Sequence, residues 1–238
     1  MPSAYEDYWN DVVAEKAKPY AVQSVDDPRL RNWLREDTKL EQSFLDGIGF
    51  LFAELKWKGG RVLDVGAGVC WTSAMLSRHS QITSVRAFDY SRHRIEKYAP
   101  VVIQQFGGVR SKIELVVGDF WKIPDHDRFD LIVFCQALYM FPNAQEVLAR
   151  CRRQLQKGGL VMVACEQVEP EFSKLEVGYW RNAFKRKVDN SGRYRMVQAD
   201  YRRAFEKAGL QYHFQRLDYP LMPNLKRCLA GNHFGIKS

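Results

Sequence analysis

Residues 62–70 read VLDVGAGVC, and this stretch decides the fold that we expect for the rest of the chain. The apolar run Val62–Val65, interrupted by one acid, predicts a buried strand. The Gly-Ala-Gly sequence at 66–68 predicts a tight turn, because glycine adopts dihedrals that side chains forbid and lets the backbone approach a ligand closely. The following residues, Trp71–Arg78, are compatible with a helix whose first turn offers unpaired N–H groups. The stretch therefore predicts a strand, a turn and a helix.

Strand-like and helix-like segments alternate after this stretch. The further predicted strands are Ile82–Tyr90, Lys112–Phe120, Phe129–Cys135 and Leu160–Cys165. Between them an amphipathic pattern predicts a helix at Arg92–Phe106, which Pro100 should bend or interrupt. A second helix is predicted at Pro142–Gln156, and Gly158 with Gly159 should close it. Apolar strands separated by helices predict an α/β fold with a doubly wound, mostly parallel sheet that is covered on both faces.

The N-terminal part is predicted to be helical. Apolar residues recur at helical spacing from Leu40 to Trp57, so we expect an amphipathic helix that Gly59 and Gly60 stop. Residues 1–35 are rich in aromatic and charged side chains and are broken by prolines. They fit a helical cap packed on the core, and they equally fit a lid over a cationic ligand, which aromatic rings attract. The two interpretations are compatible.

The C-terminal part breaks the alternation between Val168 and Asp200. A basic run, Lys185–Lys187, lies there among aromatic residues, and we predict an insertion. A helix at Asp200–Ala208, a strand at Leu210–Tyr219 and a last strand near His233–Ile236 are expected to follow. We therefore divide one domain into an N-terminal cap (1–58), a core (60–166), an insertion (167–200) and a C-terminal helix with strands (201–238).

Composition bounds the class of protein. The 238 residues are 46% hydrophobic, enough for one large α/β domain or two small ones, and no apolar run approaches the roughly 20 residues of a membrane span. The polar N-terminus does not resemble a secretory signal. None of the five cysteines forms a C-x-x-C pair, so we expect a reduced, cytoplasmic protein without a zinc site or disulfide framework. The net charge of +8 fits nucleic acid, anionic membranes or phosphorylated substrates, and equally a solvated basic surface.

Three acids follow consecutive predicted strands, at the sheet edge where ligands bind in such folds. Asp89 lies 25 positions after Asp64, close to the roughly 20 expected for a carboxylate that binds ribose hydroxyls. Asp119 ends the third strand, where a carboxylate can accept from the exocyclic amine of a base. Asp89 and Asp119 could each instead cap a helix. The ordered set, together with the glycine turn, favours a ligand site.

These residues make the chain resemble class I S-adenosylmethionine-dependent methyltransferases. The matching segments are VLDVGAGVC (62–70), VRAFDYS (85–91), VVGDFWKIP (116–124), FDLIVFCQALYMFPN (129–143) and QKGGLVMVACE (156–166). Many members carry a glycine where this chain has Cys70. The resemblance implies a Rossmann-like methyltransferase fold with a seven-stranded sheet and S-adenosylmethionine as the cofactor.

The resemblance also implies which residues surround that cofactor. Asp64, Gly66, Ala67 and Gly68 are expected around its methionine part, Asp89 on its ribose, Tyr90 beside the adenine, Asp119 and Phe120 at the base, and Gln136 facing the cofactor or acceptor. From the aromatic N-terminus we expect Tyr8 and Trp9 to close over the cofactor.

The fourth matching segment concerns the acceptor. Methyltransferases of nucleic-acid amino groups show an Asn/Asp-Pro-Pro-aromatic motif where this chain has Cys135–Leu138, so nucleic acid is disfavoured. The sequence LYMF at 138–141 resembles the small-molecule branch. The metal-dependent catechol type needs clustered acids, which we do not find, so no metal is expected.

We interpret the chain as an enzyme that methylates the oxygen or nitrogen of a small molecule. The basic and aromatic insertion would suit an anionic metabolite or sugar derivative. One alternative is an RNA or protein methyltransferase, which the net charge favours, and another is a non-catalytic cofactor-binding subunit. A general base is needed only if the acceptor is protonated, and its candidates are Tyr139, Glu166, His213 and His233, residue types that are more often structural than catalytic.

Overall fold

The computed structural model describes residues 18–168, 198–222 and 229–238. The predicted contacts of Tyr8 and Trp9 lie outside these residues, as does the insertion with its basic run Lys185–Lys187. The division of the chain into cap, core, insertion and C-terminal part stays a prediction.

Helices and strands alternate through most of the described chain. The strands are β1 Gly60–Val65, β2 Ile82–Asp89, β3 Ile113–Val117, β4 Phe129–Cys135, β5 Leu155–Val168, β6 Gln211–Arg216 and β7 Leu229–Ile236. The α-helices are α1 Arg29–Asn32, α2 Leu40–Ala53, α3 Trp71–Ser77, α4 Ala99–Gln105, α5 Ala144–Gln154 and α6 Gln198–Lys207. Shorter π and 3₁₀ turns lie at Trp33–Asp37, Arg94–Tyr98, Arg110–Lys112, Phe120–Lys122 and Leu138–Met140.

The seven strands form one sheet in the order β3-β2-β1-β4-β5-β7-β6. Strands β1 to β5 pair in parallel, and β7 runs antiparallel to both β5 and β6. The predicted seven-stranded, mostly parallel sheet is confirmed. The strand order reverses at β1 and β4, so the carboxyl ends of these strands border the crevice where ligands bind in doubly wound sheets.

Two layers of apolar side chains cover the faces of the sheet, because its central strands are apolar on both sides. One layer holds the buried faces of α2, α3 and α4, with Phe44 and Leu76 among its fully buried residues. The other holds the buried faces of α5 and α6, including Leu148 and Phe205. The helices therefore fix the strand ends from both sides.

The predicted interruption by Pro100 of the helix at Arg92–Phe106 is confirmed. A π turn, Arg94–Tyr98, precedes α4, and Pro100 occupies one of the first two positions of that α-helix. Proline is tolerated in the first helical turn because the N–H groups there have no intrahelical partner.

Two predicted helix ends are wrong. Helix α2 ends at Ala53 rather than Trp57, because Lys56 has a left-handed φ of 53° and the N–H of Trp57 turns back to the carbonyl of Leu51 at 3.0 Å. Helix α5 ends at Gln154, and Gly158 does not close it. Gly158, with φ of 73°, lies within β5, where the pairing with β4 is irregular.

The last two strands differ from their predicted extents, and the strand β5 that pairs with β7 again contains a left-handed residue. Strand β7 begins at Leu229, four residues before the predicted start, and β6 is shorter than predicted. The β5–β7 register shifts between Val163 and Glu166, where Cys165 has a left-handed φ of 59°. The side chain of Asn232 accepts the displaced N–H of Cys165 at 3.1 Å.

Asn232 connects four elements through this bulge. Its Nδ2 donates to the carbonyl of Ser43 at 2.9 Å and to Oε1 of Gln215 at 2.8 Å. Its Oδ1 also accepts from the hydroxyl of Ser43 at 3.3 Å. Because Asn232 is fully buried, these bonds replace the water that its amide and the Cys165 N–H would otherwise need.

Membrane-spanning helices and metal clusters are both absent from the described residues. No helix there combines the length and apolar character that crossing a bilayer requires. No group of three or more histidines, cysteines or acids in these ranges is arranged to hold a metal ion.

Candidate functional site

The glycine turn after β1 leaves its backbone open to a ligand. The N–H groups of Gly66 and Ala67 both donate to the carbonyl of Phe88, at 2.8 and 3.1 Å, which ties the turn to β2. A Cβ on Gly66 would come within 2.8 Å of the Cβ of Ala137, so a side chain has no room there. A Cβ on Gly68 would meet no described atom within 4 Å. With left-handed φ values of 68° and 55°, both positions favour glycine.

Asp64 is a buried carboxylate at the end of β1. Its Oδ2 accepts from the hydroxyls of Thr72 and Ser73, each at 2.6 Å, while its Oδ1 has no hydrogen-bond partner among the described residues. Burial raises the pKa of Asp64 to about 6; the two hydroxyl bonds oppose this rise, and the charge of Asp89 adds to it. An unpaired, fully buried acceptor at this edge is suited to a cationic donor.

Asp89 ends β2 and binds the glycine turn. Its Oδ2 accepts the N–H of Gly68 at 2.8 Å, and its Oδ1 accepts the N–H of Ser91 at 2.8 Å. Each carboxylate oxygen has a further lone pair, so these bonds leave acceptor capacity for hydroxyl groups. The side chain is 8% exposed at the strand end. Asp89 therefore couples the shape of the glycine turn to whatever binds beside it.

Asp119 caps a short helix, the structural alternative raised from the sequence. Its Oδ1 accepts the N–H of Trp121 at 2.9 Å at the start of the turn Phe120–Lys122. The ring of Phe120 is buried against Phe134 and Phe141, so it belongs to the core rather than to an open surface. The neighbouring Trp121 is 43% exposed. Capping uses one carboxylate oxygen, so the predicted contact of Asp119 with a base stays a prediction.

Gln136 follows β4 in a left-handed conformation, with φ of 52°. Its backbone N–H donates to the carbonyl of Ala164 at 3.2 Å, and its Nε2 donates to the carbonyl of Cys165 at 3.1 Å. Cys70 is also left-handed, with φ of 65°, and fully buried. Left-handed non-glycine residues are strained, and such strain concentrates at functional sites. Cys70, Gln136 and Cys165 all lie at the carboxyl edge.

The candidate bases are placed very differently. Glu166 is fully buried at the end of β5, and its Oε2 accepts from the hydroxyl of Tyr201 at 2.7 Å. Tyr139 is half-buried in the turn after β4. His213 shares a row with Asp64, through Val133, Met162 and Phe234.

His213 therefore lies four strand spacings from Asp64, about 19 Å across the sheet. The structure does not bring it to the glycine turn. His233 lies in the core, where burial lowers the pKa of its imidazole to about 3. Its Nδ1 is 2.8 Å from the hydroxyl of Tyr212, so it is a neutral core residue.

Some site residues were missed from the sequence. Thr72 and Ser73 start α3, and their hydroxyls on Asp64 could have been inferred from their spacing of eight and nine residues across a tight turn. Tyr201 carried no such signal, because 34 residues separate it from Glu166, among them the whole insertion. Tyr90 is half-buried after β2, next to Asp89, and its predicted contact with the adenine stays a prediction.

Comparison with known proteins identifies the domain. A family model described as a methyltransferase domain matches residues 36–214. A curated relative from Oryza sativa subsp. japonica, the chloroplastic 2-methyl-6-phytyl-1,4-hydroquinone methyltransferase 1, is 28% identical over 164 residues. That match covers 67% of this chain and 43% of the relative, so the chain matches less than half of that protein's length.

Solved structures share the fold at low identity. The YcgJ protein of Bacillus subtilis superposes with a TM-score of 0.59 at 18% identity, covering 83% of this chain and 98% of that one. The [4+2]-cyclase SpnF superposes with a TM-score of 0.62 at 15% identity, covering 82% and 80%. Because a protein described as a cyclase has this fold, the fold alone does not fix the reaction.

Proposed function

Because the chain belongs to the class I S-adenosylmethionine-dependent methyltransferases, we propose that it transfers the methyl group to the oxygen or nitrogen of a small-molecule acceptor. The cofactor site is supported chiefly by Asp64, a buried carboxylate next to the glycine turn, one oxygen of which has no hydrogen-bond partner in the described part of the chain. The small-molecule acceptor is supported by the rice relative, whose name gives a hydroquinone as its substrate.

The residues present fit this cofactor. Asp64 would balance a positively charged group, the open backbone at Gly68 would admit the methionine part, and Asp89 would accept from the ribose hydroxyls. When bound, S-adenosylmethionine supplies a methyl group on a positively charged sulfur, which needs a positioned nucleophile more than an acid. Gln136, held rigidly by two hydrogen bonds, would border both the cofactor and the acceptor.

The acceptor side of the proposal draws on β5 and the residues after it. Glu166 is the one candidate base that is both ionisable and located at the end of a central strand. The basic and aromatic composition of residues 167–200 supports an anionic, ring-bearing acceptor. Neutralising Lys185, Arg186 and Lys187 together should then raise the acceptor KM and leave cofactor affinity unchanged.

The cofactor site is tested by calorimetry with S-adenosylhomocysteine and with an analogue that lacks both ribose hydroxyls. Asp89→Ala should weaken binding of S-adenosylhomocysteine by about 1–3 kcal/mol, since it removes an acceptor for buried hydroxyls. The analogue should bind wild type and variant about equally. If the variant weakens both ligands to the same degree, Asp89 acts only on the shape of the turn. Asp218→Ala, on an exposed carboxylate, is the matched control.

The acceptor class is tested with S-adenosylmethionine labelled on its methyl group. The enzyme is incubated with a cell extract separated into small-molecule, RNA and protein fractions, and with a substituted hydroquinone as a defined probe. We expect label in the small-molecule fraction. Label confined to RNA or protein would establish the corresponding alternative, and cofactor binding without any transfer would indicate a non-catalytic subunit.

A further inference from the structure

Tyr201 reaches the acceptor side of the site from α6. Its side chain is 1% exposed, and its hydroxyl donates to Oε2 of Glu166 at 2.7 Å. Glu166 follows Ala164 and Cys165, whose carbonyls accept the two hydrogen bonds from Gln136. The Tyr201–Glu166 pair therefore lies next to the residue that should border cofactor and acceptor.

The ring of Tyr201 is fixed by its neighbours. It stacks on the imidazole of His233, with 4.1 Å between ring centroids and 21° between planes. The imidazole is held in turn by the hydroxyl of Tyr212, at 2.8 Å from Nδ1. Because His233 is buried and neutral, it orients Tyr201 without adding a charge near Glu166.

The pair has defined donor and acceptor roles. Burial, followed by the nearby Glu166, raises the pKa of Tyr201 well above its usual range, so the phenol keeps its proton at neutral pH. A phenol that donates to a carboxylate favours the ionised carboxylate. Among the described residues, Cys135 on β4 and Tyr201 on α6 both lie within electrostatic range of Glu166, and Tyr139, in the turn after β4, lies near Tyr201.

Burying a carboxylate opposes folding, and an apolar pair would fill the same space at lower cost. The hydrogen bond from the Tyr201 hydroxyl offsets part of this cost. We propose that Tyr201 is a positioning residue, whose hydroxyl holds Glu166 ionised and oriented as the base for an acceptor with an O–H or N–H nucleophile. This inference rests on the proposed methyl transfer. The proton that the acceptor releases on methylation passes to the Glu166 carboxylate, which becomes a neutral acid and then returns the proton to solvent.

The test measures Glu166 directly and does not require the acceptor to be known. Protein carrying ¹³C-labelled glutamate carboxyls is titrated from about pH 4 to 9 by NMR, and Glu166→Gln assigns the Glu166 signal. Tyr201→Phe should raise the midpoint of that signal by about 1–2 pH units, equivalent to a hydrogen bond to a charged group. Tyr219→Phe, which removes a hydroxyl that donates to Asp46 and lies outside this cluster, should leave the midpoint unchanged. The affinity for S-adenosylhomocysteine should be the same in wild type and in the two tyrosine variants.

Two further measurements test the roles of Tyr201 and Glu166. If Tyr201→Phe does not fold, 3-fluorotyrosine placed at position 201 should lower the midpoint, because it is a stronger donor. In the acceptor assay, the acidic limb of kcat against pH should move with the NMR midpoint. An unchanged midpoint would make Tyr201 a packing residue, and a Glu166 that stays protonated at neutral pH would remove it as a base. Label in RNA or protein would overturn the acceptor class while leaving the midpoint shift intact.

Discussion

Asp64 makes opposing contributions to folding and to binding. Burial favours its neutral form, while a bound cation would favour its charged form. The raised pKa has a definite sign for stability: the native state binds more protons than the unfolded chain between about pH 4 and pH 6. The stabilisation is therefore complete below the unfolded pKa and is lost as the pH rises through about 6.

We predict that Asp64→Asn removes this dependence. As the pH rises from 4 to 7, the free energy of unfolding of the variant should increase relative to that of wild type by about 2–3 kcal/mol, as the pKa rise of Asp64 implies. Urea denaturation at several pH values without ligand measures the difference. If the free energy of unfolding depends on pH in the same way in both proteins, the pKa of Asp64 is not raised by folding. The variant should bind S-adenosylhomocysteine more weakly at pH 7 even where it is more stable.

Cys70 stands in a left-handed conformation, with φ of 65°, that suits glycine. We predict that Cys70→Gly is more stable than Cys70→Ala by about 1 kcal/mol, because alanine keeps the backbone strain and glycine relieves it. Thermal unfolding of both variants measures the order. Cys151, which is equally buried but lies inside α5, is the matched control. At that position the alanine variant should be more stable than the glycine variant by about 1 kcal/mol. If the alanine variant is the more stable one at both positions, the backbone of Cys70 is not strained.

At the scale of elements, the bulge in β5 depends on a side chain from β7. Asn232 accepts the Cys165 N–H and binds Ser43 of α2 and Gln215 of β6. Replacing this amide by an apolar group of similar size leaves several buried donors and acceptors unpaired at once. The bulge also carries Glu166 into position, so its loss should be felt at the site.

We predict that Asn232→Leu lowers the free energy of unfolding by about 2–4 kcal/mol. Asn143→Ala, which removes only the cap of α5, should cost about 1 kcal/mol. Urea denaturation compares the two. Equal losses would indicate that the Cys165 N–H finds another partner and that the bulge does not depend on Asn232.

Helices and strands could be predicted where a single local sequence pattern determines their position. The five parallel strands were predicted from apolar runs, and Pro100 marked its own interruption. The sixth strand was predicted from alternation, and the last strand was predicted to start four residues later than it does. The pair Gly158 and Gly159 was misread because a left-handed glycine suits a strand bulge as well as a helix end, and only pairing with β4 and β7 decides between them. In the site, Asp64 and Asp89 were found from spacing. The Tyr201–Glu166 bond depends on tertiary contact between distant segments, which no spacing encodes.

At the scale of the whole molecule, the site is divided between two parts of one sheet. Within the described chain, the predicted cofactor residues lie at or just after the ends of β1, β2, β3 and β4, whereas Glu166 lies near the end of β5 and Tyr201 lies on α6. The structure therefore predicts that changes to α6 alter methyl transfer more than cofactor affinity. The Tyr201 variants proposed above test this separation directly.

The position of β7 also has a consequence for how the chain folds. This strand follows β6 in sequence but lies between β5 and β6, and its partner in β5 at Leu160 is 76 residues from Ile236. Until β7 pairs with β5, one edge of β5 has no partner strand. The long sequence separation slows completion of the sheet, and the open edge can pair with another molecule. In pulse-labelled hydrogen exchange during refolding, amides of β1 and β4 should gain protection before those of β7. Simultaneous protection would mean that the sheet forms in one step. Refolding yield should also fall as protein concentration rises, because a waiting β5 edge in one molecule can pair with its counterpart in another.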